Sequence, residues 1–183
     1  MKIFLITLAS IFVFISCDNE KKYKTELLQI EIHSVKLDSL DEIINGIQID
    51  SLVLIQKIAT NNELTIKTYY LTDTIDMVFA EKMNMNKGVR KSLAEVEKQK
   101  EGLISELQEL KLQYFNLKTD IIAGLYNKEQ IVDYLNVEKL DFDMLTVNIK
   151  EFELNSKKQL ESFYYANPQI SKYCNELLEN IEK

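Results

Sequence analysis

The chain has few of the residues that interrupt helices. Its 183 residues include four glycines, one proline and no tryptophan. Strands joined by hairpins need turn residues about every 8–12 positions, so this scarcity favours long uninterrupted helices. With 46% apolar and 28% charged residues, the chain has enough apolar side chains to build a folded domain. We therefore expect an all-α protein.

The residues that catalytic and metal-binding motifs require are also scarce, and no glycine-rich phosphate loop or paired-cysteine motif occurs. His33 is the only histidine, which argues against a histidine-rich metal site, a Ser-His-Asp triad and most haem ligation; a lone histidine is typical of a structural or solvated residue. Asp141 and Asp143 begin like a calcium loop, but no glycine follows at the sixth position, so we interpret them as exposed helix residues. Asp38 and Asp41 have the spacing of an acid–base pair, which 29 acidic residues also produce by chance. We expect no enzyme activity, no metal and no cofactor.

The chain has fewer basic than acidic residues. The chain has 22 basic and 29 acidic residues, for a formal net charge of −7, and Arg90 is the only arginine among the basic ones. An acidic protein is repelled by nucleic acid and by anionic lipid, and lysine lacks the planar fork with which arginine holds phosphate. We expect no nucleic-acid partner.

The N-terminus has the pattern of a secretory signal. Residues 3–16 carry no charge and follow a lysine. A membrane span needs about 20 apolar residues, so this run is too short to cross a bilayer but fits the apolar part of a signal peptide. The run ends in the sequence FISC at residues 14–17, which resembles the lipobox of bacterial lipoproteins, with Phe14 at the position where leucine is usual.

The resemblance to bacterial lipoproteins implies a specific chemistry at this point. A peptidase cuts between Ser16 and Cys17, and a diacylglycerol on the Cys17 sulfur anchors the protein without spanning the membrane. Since Cys174 is the only other cysteine, a modified Cys17 leaves it no disulfide partner. An uncleaved signal anchor, or a secreted protein with a free Cys17, is the alternative. We expect residues 1–16 to be removed and residues 17–24 to form the lipidated N-terminus and a short tether.

The residues after the cysteine bear on location. Asp18, Asn19 and Glu20 resemble the sorting signals of Bacteroidota lipoproteins that reach the outer face of the outer membrane, whereas aspartate after the cysteine goes with inner-membrane retention in enterobacteria. The resemblance implies a lipid-anchored protein of the bacterial cell envelope, with the outer membrane favoured and the leaflet open. We expect Cys174 to be a small packing residue rather than a reactive thiol.

Apolar residues at heptad spacing dominate the middle of the chain. Ten positions alternate steps of four and three, and nine of them are apolar, which indicates a coiled coil or helical bundle. They are Val89, Leu93, Val96, Lys100, Leu103, Leu107, Leu110, Tyr114, Leu117 and Ile121. We interpret Lys100 as a residue that snorkels or sets the register. The seam predicts one helix over residues 74–123, capped by Thr72 or Asp73 and bent at Gly88.

A second long helix is predicted over residues 128–165. Gly124 can end the preceding helix in the left-handed conformation, and Asn127 with Gln130 forms a capping box for the next. The apolar stripe of this helix comprises Ile131, Leu135, Phe142, Leu145, Ile149, Phe152 and Phe163, and it is widened by Leu140, Met144, Val147 and Leu154. The width predicts packing against two neighbouring elements.

The two ends of the domain are less regular. A heptad frame predicts a third helix over residues 25–60, and its members are Leu28, Ile32, Val35, Ile43, Ile47, Leu54 and Ile58. Asn45-Gly46 is also a hairpin signal, so Gly46 marks either a helix break or a β-turn. Residues 62–72 are predicted to form a loop or short strand, and Asn167-Pro168 predicts a helix break followed by a short helix over residues 168–182.

Residues 25–183 are therefore expected to form one domain, an elongated antiparallel helical hairpin or coiled-coil-like bundle of three to four helices. Such a domain behind a lipid anchor predicts a non-catalytic scaffold, with an envelope protein or a second copy of the chain as its partner on an apolar helix face. A helical ligand-binding module or enzyme is the alternative. Tyr69-Tyr70 and Phe163-Tyr164-Tyr165 either form a sugar- or peptide-binding platform or seal the bundle ends.

Overall fold

The protein is all-helical over residues 18–70 and 76–181, the part of the chain that this computed structural model describes. Its helices are α1 (Lys24–Gly46), α2 (Ile49–Tyr69), α3 (Met77–Ser92), α4 (Val96–Ala123) and α5 (Lys128–Ile181). Where the sequence predicts one domain, the chain divides into two compact units. Within the described residues, unit 1 comprises residues 18–44 and 103–149, and unit 2 comprises residues 45–70, 76–102 and 150–181. The predicted signal peptide and Cys17 lie outside the described residues.

The turn between α4 and α5 has the predicted chemistry. Gly124 adopts a φ of 74°, and the amide of Leu125 donates to the carbonyl of Asp120 at 3.0 Å, as in a Schellman cap. Asn127 and Gln130 form the predicted capping box, since each side chain accepts from the other's backbone amide at 3.0 Å. The start of α5 is therefore set locally.

The prediction of a helix with a break at Gly46 is confirmed, since α1 ends there and α2 begins at Ile49. The predicted loop or strand from residue 62 is wrong, because α2 continues to Tyr69. Polar side chains of this segment have partners in the folded protein: the Asn62 amide donates to Asn167 Oδ1 at 2.8 Å. A buried polar group with a partner no longer opposes the helix.

The predicted helix over residues 74–123 is interrupted by a turn at residues 93–95. Within it, the amides of Ala94 and Val96 bond to carbonyls three residues back rather than four. Asp76 caps α3, because its Oδ1 accepts from the amides of Val78 and Phe79 at 2.9 and 3.1 Å. The caps predicted at Thr72 and Asp73 fall outside the described residues, and the bend predicted at Gly88 is replaced by the turn five residues later.

The predicted break at Asn167-Pro168 is wrong, because α5 runs through Pro168 to Ile181. Instead of capping a new helix, Asn167 accepts hydrogen bonds from Asn62 and Ser171 at 2.8 and 3.0 Å. On either side of the proline, Ala166 and Ile170 are buried. These contacts outweigh the one backbone hydrogen bond that proline removes from the helix.

The core of unit 1 is formed by side chains of α1, α4 and α5. The predicted seam residues of α4 and α5 are buried here: Leu107, Leu110, Tyr114, Leu117, Ile121, Ile131, Leu135, Phe142, Leu145 and Ile149. The heptad frame predicted for α1 is wrong, because Leu28 and Val35 are exposed while Ile30 and Leu37 are buried. Both faces of α1 carry apolar residues, so periodicity alone does not identify the buried face.

The short tether predicted for residues 17–24 is also corrected in its described part, since residues 18–22 are helical. Tyr23 is 3% exposed, and the Asn19 amide donates to the carbonyl of Ile122 at 3.2 Å. These residues therefore belong to the folded part of unit 1.

The core of unit 2 contains the N-terminal part of the central seam and the C-terminal part of α5. Its buried apolar residues include Leu52, Ile55, Ala59, Ile66, Phe79, Val89, Leu93, Val96, Phe163, Ala166, Ile170 and Cys174. Lys100 on the seam donates from Nζ to the carbonyl of Ile47 at 2.9 Å, just beyond the end of α1. Its charge therefore satisfies a helix-terminal carbonyl, consistent with the role in register expected for it.

Candidate functional site: an outward apolar stripe on the longest helix

The α5 segment in unit 1 carries a second apolar stripe that does not face the core. The outward stripe consists of Val137, Leu140, Met144 and Val147, which are spaced by three, four and three residues. Each of these four side chains is between 53% and 64% exposed. Phe142 and Leu145, on the other side of the same helix, are buried.

The exposure of this stripe overturns one prediction from the sequence. The width of the apolar face predicts packing against two neighbours, yet Leu140, Met144, Val147 and Leu154 all remain exposed. Single exposed apolar side chains are ordinary on protein surfaces, whereas these side chains follow one another along one side of a helix, which makes them a candidate interaction surface. The outward stripe has the spacing that a helical partner requires.

An acidic groove runs beside the outward stripe, between α4 and α5. It encloses about 260 Å³ and includes Glu106, Glu109 and Gln113 from α4. From α5 it takes Asp141 and Met144, so a residue of the outward stripe also lines the groove. The stripe therefore has an apolar centre and a carboxylate-rich flank.

The negative charge of the protein is concentrated in this unit. Residues 18–44 and 103–149 contain 8 basic and 15 acidic side chains, so their formal charge is 8 − 15 = −7. Residues 45–102 and 150–183 contain 13 basic and 14 acidic side chains, which gives 13 − 14 = −1. A partner that approaches unit 1 therefore meets a negative surface.

Three of the carboxylates that the sequence analysis considered for metal binding or acid–base chemistry are engaged in ion pairs. Asp143 Oδ2 lies 2.7 Å from Nζ of Lys139, one turn earlier on α5. Asp38 and Asp41 both contact the Lys111 ammonium, at 2.9 and 2.7 Å. The pairs with Lys111 connect α1 to α4, and the pair with Lys139 lies within α5. Asp141 and Asp143 are exposed helix residues, as predicted.

His33 is part of the core of unit 1. Its ring lies 5.4 Å from that of Tyr114 and 4.9 Å from that of Phe142. Burial lowers the pKa of His33, with a further contribution from the Lys36 ammonium. Burial raises the pKa of Tyr114, and the Glu138 carboxylate adds to the effect. Both side chains are thus held neutral, as suits packing rather than proton transfer.

A polar cluster in unit 2 was not anticipated from the sequence. Glu63, which is 7% exposed, accepts from Arg90 Nε and from Lys67 Nζ, each at 2.6 Å. Nearby on the same helices, the Asn86 amide donates to the carbonyl of Ala59 at 2.8 Å. One signal in the sequence could have revealed this cluster. Asn62 and Glu63 lie three and four residues after Ala59, which is the spacing of the buried face of α2.

The aromatic pairs divide between core and surface. Tyr70, Phe79 and Tyr173 pack together in unit 2, with Phe79 and Tyr173 ring centroids 4.9 Å apart. A cleft of about 360 Å³ beside them is also lined by Asp76 and Glu176. Tyr165 is exposed, and the Lys82 ammonium lies 3.9 Å from its ring centroid.

Cys174 is a packing residue, as predicted. It is 4% exposed and belongs to an apolar cluster with Ile66 and Phe79. Burial raises the pKa of its thiol, so the unreactive neutral form dominates. Ser16 and Cys17, the predicted cleavage and lipid-attachment residues, lie outside the described part of the chain.

Two kinds of feature are absent from the part of the chain that the structure describes. Within residues 18–70 and 76–181, no group of three or more histidine, cysteine or acidic side chains is arranged to hold a metal ion. None of the helices in the same ranges combines the length and apolarity that crossing a membrane requires.

Comparison with known proteins gives one weak similarity. No family model matches the chain, and no solved structure matches it. A protein described as dynamin-like protein 1, from Campylobacter jejuni subsp. jejuni serotype O:23/36 (strain 81-176), is 25% identical over 187 residues, covering 94% of this chain and 25% of that protein. The chain thus spans about a quarter of the length of the relative that it matches.

Proposed function

We propose that this chain is a lipid-anchored lipoprotein of the bacterial cell envelope that acts as a non-catalytic helical scaffold or protein-interaction module. The observation that carries the interaction role is the outward stripe of Val137, Leu140, Met144 and Val147, which is apolar, heptad-spaced and exposed. The lipid anchor is proposed from the lipobox at Cys17. The helices are proposed to pair in the antiparallel hairpin and three- to four-helix arrangement that their heptad seams predict.

Three features support a role that needs no chemistry in this chain. The only histidine packs among aromatic rings. The paired aspartates contact lysines. The similarity to the Campylobacter protein covers a quarter of that protein, and no glycine-rich phosphate loop occurs in the 183 residues.

The location in the envelope is part of the same proposal. A lipid on Cys17 would place unit 1 next to the membrane, because the described chain begins in that unit one residue after the cysteine. The outer membrane is favoured by the residues Asp18 to Glu20. An envelope protein is the proposed partner.

Lipidation is tested by replacing each of the two cysteines in turn. Cys17→Ala should leave an unprocessed, unlipidated precursor, while the native chain should partition into the detergent phase. Cys174→Ala is the matched control and should partition like the native chain, because Cys174 is buried. Recovery of soluble, unmodified mature protein from native cells would rule out the anchor.

The interaction role is tested by photo-crosslinking in intact cells. A photo-reactive phenylalanine analogue at position 144, on the outward stripe, should give a reproducible adduct with an envelope protein. The same analogue at position 54 is the control, since Leu54 is 57% exposed but lies on α2 in unit 2. Identical adduct patterns at the two positions, or no adduct at position 144, would contradict a specific docking surface there.

A ligand-binding module is the alternative, and one observation favours it. The cleft beside Tyr70, Phe79 and Tyr173 has about 360 Å³ and two carboxylates, Asp76 and Glu176, within the usual volume range of small-molecule sites. Against it, the three rings pack against one another, and Asp76 caps α3. If a Tyr173→Ala variant loses the activity of the protein in cells but still forms the crosslinked adduct at position 144, the ligand-binding alternative is favoured.

A further inference from the structure

We propose that the outward stripe binds a basic amphipathic helix of the partner protein. This inference rests on the proposed interaction role and adds the chemistry of the partner. It follows from three properties of the site in unit 1: the spacing of the stripe, the sign of the charges around it, and its length.

The spacing of the outward stripe suits a helix. Val137, Leu140, Met144 and Val147 repeat at steps of three and four residues, which is the pattern that receives the a and d side chains of an opposing helix. From Val137 to Val147 the stripe rises about 15 Å, or nearly three helical turns. An extended strand would instead require a row of free backbone donors and acceptors, which the interior of an α-helix does not offer.

The outward stripe is bordered by carboxylates on its α4 side. Asp133 and Asp141, both exposed, flank it on α5, and Glu106 and Glu109 line the groove on its α4 side. The nearest cation on α5, Lys139, is already paired with Asp143 at 2.7 Å. Lysine or arginine at the flanking positions of an incoming helix would therefore find carboxylates opposite them.

The same charges disfavour two other occupants. A second copy of the chain, related by a two-fold axis, would bring the identical set of carboxylates against itself, and like charges across an interface are unfavourable. An anionic lipid surface would meet a unit with a formal charge of −7 over residues 18–44 and 103–149. A basic helix is the occupant that complements both the apolar centre and its flanks.

The length of the stripe predicts a weak complex. Nearly three turns of one helix bury less surface than a standard interface, so a transient interaction with a Kd of about micromolar is expected. The charges should make this affinity depend on salt. Raising NaCl from about 50 mM to about 500 mM should weaken binding several-fold, because the Debye length falls over this range.

The test uses two designed peptides and the full chain in neutral phosphatidylcholine nanodiscs, with empty nanodiscs as the blank. Both peptides have about three heptads with leucine at a and d; one has lysine and the other glutamate at e and g. Fluorescence anisotropy should give an affinity for the lysine peptide at least about tenfold higher than for the glutamate peptide. Equal affinities would overturn the charge argument.

Matched variants locate the site. Leu140→Gln with Val147→Gln should weaken binding of the lysine peptide by about tenfold or more, while Leu54→Gln, an equally exposed leucine on α2, should leave it unchanged. Glu109→Gln with Asp141→Asn should weaken binding and flatten its salt dependence. Unchanged binding in the stripe double variant, with a native circular dichroism spectrum, would overturn the assignment of the site.

The identity of the occupant is read from a crosslinker at position 144 in the same nanodiscs. An adduct with the lysine peptide is the expected product. A covalent dimer of the chain would assign the stripe to a second copy, and a lipid adduct would assign it to the membrane; either overturns the proposal. Failure of the proposed function is seen separately, in the Cys17→Ala partition experiment and in the intact-cell adducts, so the two failures are distinguishable.

Discussion

Arg90 and Glu63 join two helices of unit 2 through a partly buried ion pair. Nε of Arg90, on α3, donates to Oε2 of Glu63, on α2, across 2.6 Å. The other carboxylate oxygen of Glu63 accepts from Lys67, one turn along the same helix and also at 2.6 Å. The Glu63 side chain is 10% exposed, whereas that of Lys67 is 70% exposed. Lys67 and Arg90 therefore contact the same Glu63 carboxylate, but the Lys67 side chain is much more exposed to solvent than that of Arg90.

This arrangement predicts that the two cations differ in importance for stability. Arg90→Met should lower the free energy of unfolding by about 1–3 kcal/mol, because it leaves a buried carboxylate oxygen without its partner. Lys67→Met is the matched control and should cost less than about 1 kcal/mol, since an exposed i, i+4 pair is screened by solvent. Urea denaturation measures both. Equal losses in the two variants would contradict the difference in environment.

Glu63 also predicts an acid-dependent loss of stability. The hydrogen bond from Lys67, together with that from Arg90, holds the pKa of Glu63 below its ordinary value of 4.5. Because the pKa in the folded state is lower than in the unfolded state, the stabilisation is complete above pH 4.5 and is lost as the pH falls through the folded value. The stability difference between the native chain and Glu63→Gln should therefore shrink on acidification below pH 4.5. Thermal denaturation across this range checks it, and a constant difference would contradict the prediction.

His33 predicts a second pH effect in a different window. Burial, and then the Lys36 ammonium, lower its pKa below the ordinary value of 6.5; Lys139 on α5 acts in the same direction, while Asp143 opposes them. The folded state thus binds this proton less readily than the unfolded state, so unfolding becomes easier as the pH falls below 6.5.

The single histidine makes this effect directly measurable. An NMR titration of the only imidazole should give a pKa below 6.5. His33→Phe should keep the packing on Tyr114 and Phe142 and should flatten the fall in stability between pH 6.5 and the folded pKa. A titration midpoint at or above 6.5 would refute the burial argument.

Replacing Gly124, in the turn between α4 and α5, can be compared with replacing Gly102, within α4. Gly124→Ala should destabilise the protein by about 1–2 kcal/mol, because residue 124 has a φ of 74° and a Cβ there would lie 2.6 Å from Asn19 Nδ2. Gly102→Ala should stabilise it by up to about 1 kcal/mol, since Gly102 lies in α4 with nothing within 4 Å of its Cβ position. Chemical denaturation of the two variants should give opposite signs, and equal signs would contradict the turn geometry.

Local features could be predicted from the sequence where a residue type has one characteristic structural role. The left-handed Gly124, and the side chains of Asn127 and Gln130 that bond to each other's amides, were predicted and are present. A seam was likewise predicted over residues 89–121, now in α3 and α4, because nine of its ten positions are apolar at one regular spacing. These features depend on residues within one or two helical turns of each other.

The sequence predicted the residue types and the helix of the candidate site, but not the exposure of its side chains. Leu140, Met144 and Val147 were recognised as apolar and helical, but they were assigned to the core. α1 shows the same ambiguity, since Leu28 is exposed and Ile30 is buried. When both faces of a helix are apolar, its periodicity fixes the spacing of the faces and leaves open which one is covered.

The sequence was enough to predict the all-helical fold of the described residues, the seam of α3 and α4 and the cap that begins α5, because scarce glycine and proline, heptad spacing and a capping box act over a few residues. The tertiary structure alone decided that α5 passes through Pro168, that α2 extends to Tyr69, and that one apolar face of α5 stays exposed. Each of these depends on partners far away in sequence: Asn62 and Asn167 bond across 105 positions, and the burial of a face depends on which helices reach it. Such contacts leave no local pattern, because their energy exists only once distant segments have packed together.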